Sequence, residues 1–117
     1  THPDINCPIK GGFMPDTGAM IALIETSTGR RPDLIIGKPN RLIVEAAAAR
    51  LGVPVEEIAM VGDRLYTDIA LGKTAGITTV LVLSGETKME DLEASEFLPG
   101  YIFADVGAAA EWLREKA

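Results

Sequence analysis

Short unbroken apolar runs alternate with longer stretches in which apolar residues recur at a helical period. Three runs, Leu34–Ile36, Ile58–Val61 and Ile77–Leu83, have the composition of strands that are covered on both faces of a sheet. A shorter run, Tyr101–Phe103, predicts a further strand near the end of the chain. From residue 34 onward the pattern therefore predicts strands that are separated by helices.

Capping residues and glycine stops define the helices between these runs. Gly52 and Gly76 follow periodic apolar stretches and are typical helix ends. In the last helix, Val106, Ala109 and Leu113 are predicted to face inward, with Trp112 beside them. The predicted helices run from Asp16 or Thr17 to Gly29, from Asn40 to about Leu51, from Thr67 or Asp68 to Ala75 and from Asp105 onward, with a short acidic helix over 88–95.

This order of elements predicts an α/β fold. Strands that alternate with helices through short connections form a Rossmann-like parallel sheet with flanking helices. Residues 1–33 do not share this alternation, and residues 1–15 read as an irregular loop because they are rich in proline and glycine. We therefore expect an appended or inserted element over 1–33 and the α/β unit over 34–117.

Composition narrows the class of protein. The chain has 117 residues, 47% of them apolar, and a net charge of -6; its longest basic run is Arg30–Arg31, so we expect no nucleic-acid partner. It has no apolar stretch near the roughly 20 residues of a membrane span, so we expect no membrane partner. The single cysteine, Cys7, and single histidine, His2, argue against a disulfide or a zinc site and favour a reducing, cytoplasmic location. The first residue, Thr1, is not a methionine, which indicates a piece of a longer protein.

Polar residues follow the predicted strands at the edge where parallel sheets bind ligands. Lys38 follows the first strand, Asp63 the second, and Ser84 and Gly85 the third. Asp68 lies five residues after Asp63, across a turn, so the two carboxylates can converge. Oxygen ligands with room for water and a phosphate suit a hard cation.

A structural interpretation of the same residues stays open. Gly62 lets the chain turn closely at the strand end, Asp63 would stabilise that turn, and Asp68 would complement a helix dipole. Lys38 would then be an ordinary solvated lysine at a strand end. Two nucleotide-binding motifs are excluded, because the chain has neither a complete phosphate-binding P-loop nor the spaced glycines of a dinucleotide site.

The residues around this edge resemble a known family. Ile36–Pro39 and Val61–Ile69 resemble the second half of the haloacid-dehalogenase (HAD) phosphatases, most closely the NagD-type, p-nitrophenylphosphatase-like branch. Thr1–Asp4 and Pro15–Gly18 look like the last part of the cap domain that this branch inserts into its core. The resemblance implies a Rossmann-like core over 34–117 that is preceded by a remnant of the cap over 1–33.

The resemblance also implies a chemistry and roles for individual residues. Such enzymes transfer phosphate from a small phosphorylated metabolite to an aspartate, with Mg²⁺ as cofactor, and water then hydrolyses the aspartyl-phosphate. Lys38 resembles the lysine that steadies nucleophile and phosphate, and Asp63 and Asp68 resemble the acidic residues that hold the metal. Independently of the resemblance, Arg64 and Gly62 are further candidates for contact with the substrate or the rim of the site, and Arg64 is either such a contact to a phosphate or carboxylate or a surface residue.

One part of the family pattern is missing. The nucleophile of the family lies in an Asp-x-Asp motif, and no two aspartates of this chain are separated by a single residue. The sequence therefore predicts the C-terminal portion of an enzyme that is inactive alone and whose partner is its missing N-terminal half. It also predicts an uncovered sheet edge through which two chains could pair as a homo-oligomer. The alternative is a non-catalytic α/β binding or interaction module.

Overall fold

Three parallel strands form the main sheet of the computed structural model, which describes residues 2–116. These strands are β3 (Ala59–Gly62), β4 (Thr78–Val82) and β5 (Tyr101–Phe103), in the order β3-β4-β5. Val61 lies opposite Val80, which in turn lies opposite Tyr101. The observed fold is therefore α/β with a parallel sheet and flanking helices, as the sequence predicts.

The described residues form four α-helices. Three of them end at a glycine with positive φ, at Gly29, Gly52 and Gly76, where a side chain would be strained. Asp16 caps the first helix by accepting from Thr17 N, and Asp105 caps the last by accepting from Ala108 N at 2.8 Å. The helices are α1 (Thr17–Thr28), α2 (Leu42–Leu51), α3 (Ala70–Ala75) and α4 (Val106–Lys116), with 3₁₀ turns at Val55–Glu57 and Met89–Ala94.

The central strand β4 carries the most deeply buried side chain of the sheet. Leu81 is fully buried and packs with Leu65 and Ile69, which lie in the segment after β3. A second cluster joins Leu71 of α3 to Val44 of α2 and to Ile77. These two clusters fix the segment between β3 and β4 against the sheet, and this segment carries the predicted site.

The N-terminal residues differ from the predicted irregular loop. They form an antiparallel hairpin, β1 (Asn6–Ile9) and β2 (Gly12–Pro15), with Cys7 opposite Met14. Gly11, at φ 84°, provides the left-handed residue that the tight turn needs. The prolines misled the prediction, because a two-stranded ribbon has two edges and can accept residues that lack an N–H.

Leu34–Ile36 is not a strand, and this prediction was wrong. Leu34 and Ile36 are 57% and 54% exposed, and within residues 2–116 no strand pairs with this run. Asn40 instead donates its side-chain amide to Ile35 O at 2.8 Å, and its Oδ1 accepts from Leu42 N at the start of α2. An apolar run forms a strand only where a neighbouring backbone completes its hydrogen bonds.

The helix after β3 begins earlier than Thr67 or Asp68. A π-helical turn spans Leu65–Ile69 and continues into α3, and the amides of Asp68 and Ile69 both donate to Arg64 O. The side chains of Leu65 and Ile69 are both buried. Because their packing stabilises the helical turn, the helix begins at Leu65, two residues before Thr67, the first polar cap candidate.

The last helix packs differently from its predicted face. Ala109 is buried as expected, but Val106 and Leu113 are 61% and 60% exposed, so their predicted inward position was wrong. The indole of Trp112 makes the main contact, with its ring centroid 5.1 Å from Tyr101 and 5.7 Å from Phe103. Large aromatic contacts with β5 outweigh the aliphatic stripe in orienting this helix.

Two predictions concern the whole chain: the lack of a membrane-spanning segment and the division at residue 33. None of the helices between residues 2 and 116 has both the length and the apolar character to cross a membrane. The division into 1–33 and 34–117 stays a prediction, although the hairpin and α1 do lie outside the three-stranded sheet.

Candidate functional site

The predicted site residues line a single cavity of about 160 Å³. Its wall is strongly polar, and it joins the segment after β3 to Lys38 and to the N-terminal residues. Gly62, the last residue of β3, is not among the lining residues but lies against the side chain of Asp68. The lining residues are His2, Asp4, Lys38, Asp63, Arg64, Thr67 and Asp68.

Asp68 is buried and accepts from two protein donors. Its residue is 2% exposed, Lys38 Nζ pairs with its Oδ1, and Arg64 N donates to its Oδ2 at 3.2 Å. Its side chain lies so close to Gly62 that a Cβ on that glycine would overlap the carboxylate group. The absence of a side chain at position 62 therefore lets the second aspartate approach the strand end, and Lys38 supplies the charge that a buried carboxylate needs.

The loop that follows β4 contacts Asp63 and donates two backbone hydrogen bonds to it. Glu86 N donates to Asp63 Oδ2 at 2.8 Å, and Thr87 N donates to Asp63 O at 3.1 Å. A Cβ on Gly85 would come within 2.5 Å of Asp63 Cβ and closer still to the carboxylate. The loop after β4 thus fixes the first aspartate through backbone donors and through a glycine that leaves room for it.

Arg64 joins three segments of the chain. Its guanidinium contacts Asp4 Oδ2 through Nη1 and Glu86 Oε2 through Nε, each at 2.8 Å. Burial opposes its charge, but the neighbouring groups, chiefly Tyr66 and Glu86, outweigh this effect and raise the pKa of Arg64. Arg64 is therefore a fixed cation beside Asp63.

Tyr66 points to the outside of this network. Its hydroxyl donates to Glu86 Oε1 at 3.0 Å, and the residue is 49% exposed. Burial of part of the ring raises the pKa of Tyr66 to about 12, and the hydrogen bond and negative charge of Glu86 add to this effect. The phenol stays protonated near neutral pH and serves as a donor to Glu86.

Several lining residues have no signal in the sequence. Asp4 lies 60 residues before Arg64, and His2 lies 3.4 Å from Asp4 and 3.8 Å from Asp16. Because these contacts join distant segments, neither spacing nor periodicity identifies them. Thr67 is 3% exposed, and among residues 2–116 its Oγ1 has no hydrogen-bond partner.

The donor set fits a magnesium ion in part. Carboxylate oxygens suit Mg²⁺, and Asp63 and Asp68 both face the cavity. Both oxygens of Asp68 already accept from protein donors, and Asp63 accepts through Oδ2. No group of three or more metal-ligating side chains occurs in the part of the chain that the structure describes. Asp63 can thus offer one oxygen to a metal whose remaining ligands come from water or from groups outside these residues.

Comparison with known proteins identifies the family. The HAD-hydrolase-like family model matches residues 35–109. The chain is 41% identical over 106 residues to the ribonucleotide monophosphatase NagD of Escherichia coli, covering 91% of this chain and 41% of that protein. It spans about two fifths of the length of the curated relatives that it matches.

Solved structures agree with this match. The 4-nitrophenylphosphatase of Thermotoga maritima superimposes with a TM-score of 0.87 at 58% identity, over 94% of this chain and 42% of that one. A glycerol phosphate phosphatase of Mycobacterium tuberculosis, solved in complex with magnesium, has a TM-score of 0.80 at 33% identity, over 92% of this chain and 32% of that one. The chain belongs to the HAD-hydrolase-like family, in its NagD-type, p-nitrophenylphosphatase-like branch.

Proposed function

We propose that this chain is the C-terminal portion of a magnesium-dependent phosphatase that hydrolyses small phosphate monoesters. The observation that carries the proposal is the convergence of Lys38, Asp63 and Asp68 on one cavity from separate segments of the chain. Membership in a family of phosphatases supports the reaction type, and the cavity of about 160 Å³ suits a group the size of a phosphate.

In this proposal the chain binds and orients, and the reacting carboxylate lies outside it. An aspartate of the missing N-terminal half attacks phosphorus, the alcohol of the ester leaves, and water then hydrolyses the aspartyl-phosphate. Lys38 balances negative charge next to the transferred group, and Asp68 keeps its amine in place. Asp63 faces the cavity with its Oδ2 fixed by Glu86 N, so it would be the residue that holds the metal.

Magnesium would supply a positive charge that neutralises phosphate oxygens. Asp63 would bind it, and Asp68 would contribute through its position beside Lys38 and Arg64 N. The partners in this proposal are a small phosphorylated metabolite and the missing N-terminal half of the same protein. The single cysteine, Cys7, supports a reducing compartment and thus a cytoplasmic location.

The test is the Asp63→Asn variant of the full-length protein that contains this sequence. Phosphate release from p-nitrophenyl phosphate and from a panel of small phosphate monoesters is measured against magnesium concentration. We expect a fall of about 100-fold or more, because the metal that Asp63 would hold no longer places its positive charge at the phosphate oxygens. Asp33→Asn is the matched control, since Asp33 is exposed in the connector before Lys38. Equal activity of Asp63→Asn and wild type would overturn the proposal, and the chain 1–117 alone should release no phosphate.

A second candidate rests on the sheet edge. β3 is an edge strand with Val61 46% exposed, so two chains could pair there as a homo-oligomer and act as a non-catalytic interaction module. Sedimentation of the chain 1–117 across a concentration series tests this candidate. A monomer at all concentrations excludes this candidate, whereas a dimer that the Val61→Lys substitution abolishes supports it.

A further inference from the structure

We propose that Arg64 is a positioning residue that couples the N-terminal segment at Asp4 to the two aspartates of the site. The proposal rests on the function proposed above, because it assigns Arg64 a role in holding the metal-binding carboxylates. Arg64 is the one residue whose side chain and backbone together contact Asp4, Glu86 and Asp68 in the described chain.

The ion pair between Arg64 and Asp4 is partly shielded from water. The side chain of Arg64 is 22% exposed and that of Asp4 is 11% exposed, whereas the Glu86 side chain of the other pair is 37% exposed. Attraction between charges is screened less in such surroundings than at an open surface. The planar guanidinium can also serve two carboxylates at once, at Nη1 and at Nε, which a lysine cannot do in this fixed geometry.

A closed ring of contacts connects Arg64 to Asp63. Glu86 N donates to Asp63 Oδ2, the Glu86 carboxylate pairs with Arg64 Nε, and Arg64 follows Asp63 in the chain. The Arg64 amide also donates to Asp68 Oδ2. If the guanidinium is lost, the ion pair that connects the loop at Glu86 to the turn at Arg64 is lost with it. Both aspartates would then become less well oriented.

The charges around Arg64 favour a positioning role over a role in binding the phosphate. Asp4 and Glu86 together carry two negative charges against the single positive charge of Arg64. A phosphate dianion that approached this guanidinium would meet a net negative group, so its recognition would be unfavourable there. The arrangement therefore suits a guanidinium that orients neighbouring residues and does not itself bind the phosphate.

The experiment compares four variants of the full-length protein: Arg64→Met, Arg64→Lys, Asp4→Asn and Arg64→Met/Asp4→Asn. Arg41→Met is the matched control, because it removes the exposed ion pair between Arg41, which precedes α2, and Glu45 in its first turn. Magnesium binding is measured by calorimetry without substrate, and kcat and KM are measured separately.

Loss of a residue that orients a metal ligand weakens metal binding by about 10-fold or more. We expect this loss in Arg64→Met and Asp4→Asn, with lower kcat and a KM within about twofold of wild type. Arg64→Lys should recover part of the loss, the double variant should be no worse than Arg64→Met, and Arg41→Met should match wild type.

Three results would overturn the proposal. They are unchanged magnesium affinity in Asp4→Asn and Arg64→Met, a raised KM with unchanged kcat, or fully additive losses in the double variant. If Arg64→Met does not fold, Asp4→Asn decides the question, because it keeps the size of the side chain and removes only its charge. A wild type without magnesium-dependent activity would instead refute the proposed function, so the two failures are distinguishable.

Discussion

A methyl group at position 85 tests whether the loop after β4 fixes Asp63. In Gly85→Ala the new Cβ would lie 2.0 Å from Asp63 Oδ2 and 2.5 Å from Asp63 Cβ, whereas ordinary contacts begin at 3.4 Å. Asp63 or the loop must therefore move by about 1 to 1.4 Å, which is enough to weaken the bond from Glu86 N to Asp63 Oδ2. Overpacking and a weakened hydrogen bond together give a loss of about 2 kcal/mol in the free energy of unfolding.

Thermal unfolding of the full-length protein followed by circular dichroism measures this loss. The chain spans about two fifths of the length of its relatives, so the full-length protein is larger than this domain, and a loss of about 2 kcal/mol lowers its Tm by about 4 to 8 °C. Gly12→Ala is the matched control, because no heavy atom lies within 4 Å of its new Cβ and the residue has no positive φ. Magnesium affinity should fall in Gly85→Ala alone. A Tm of Gly85→Ala equal to that of Gly12→Ala would refute the claim that Gly85 is required for space.

Further predictions concern the core, the ion pair and the phenol. Leu81→Ala should lower the free energy of unfolding by about 3 kcal/mol in chemical denaturation, because Leu81 is fully buried and its removal leaves a cavity. Lys38→Met should lower it by about 2 kcal/mol by leaving the buried Asp68 without its cation, and adding Asp68→Asn should restore part of the loss. The phenol of Tyr66 should titrate at about pH 12 in a tyrosinate absorbance titration with Tyr66→Phe as reference, and Glu86→Gln should shift it toward 10.0. Because folding raises this pKa, the stability that Tyr66 contributes is present below pH 10 and is lost as the pH rises toward 12.

The sequence was informative wherever a local signal decided the structure. Gly29, Gly52 and Gly76 mark helix ends because the left-handed conformation there favours glycine whatever surrounds it. The run around Leu81 predicts a strand because an unbroken apolar segment of this kind is stable when both of its sides are covered.

The errors occur where a neighbouring segment decides the structure. Leu34–Ile36 has the composition of a strand, but strand formation requires a partner backbone, and none within residues 2–116 pairs with it. The hairpin at Asn6–Pro15 was missed for the converse reason, since mutual pairing stabilises two strands that are individually weak.

In the candidate site too, residues with a local sequence signal could be predicted and residues that depend on long-range contacts could not. Lys38, Asp63 and Asp68 could be selected because each lies near the expected edge of an α/β sheet. Glu86 and Asp4 could not, because their contacts with Arg64 join segments that are far apart in the sequence and depend on how the loops pack. Long-range ion pairs leave no periodic pattern from which they could be predicted.

The contact between α4 and β5 provides an intrinsic optical probe of the end of the domain. Trp112 is the sole tryptophan of the chain, and its ring lies against Tyr101 and Phe103. Its fluorescence emission should therefore report detachment of the last helix from the sheet, separately from any event at the cavity. If the emission changes before the circular dichroism signal during denaturation, this helix unfolds as an independent unit.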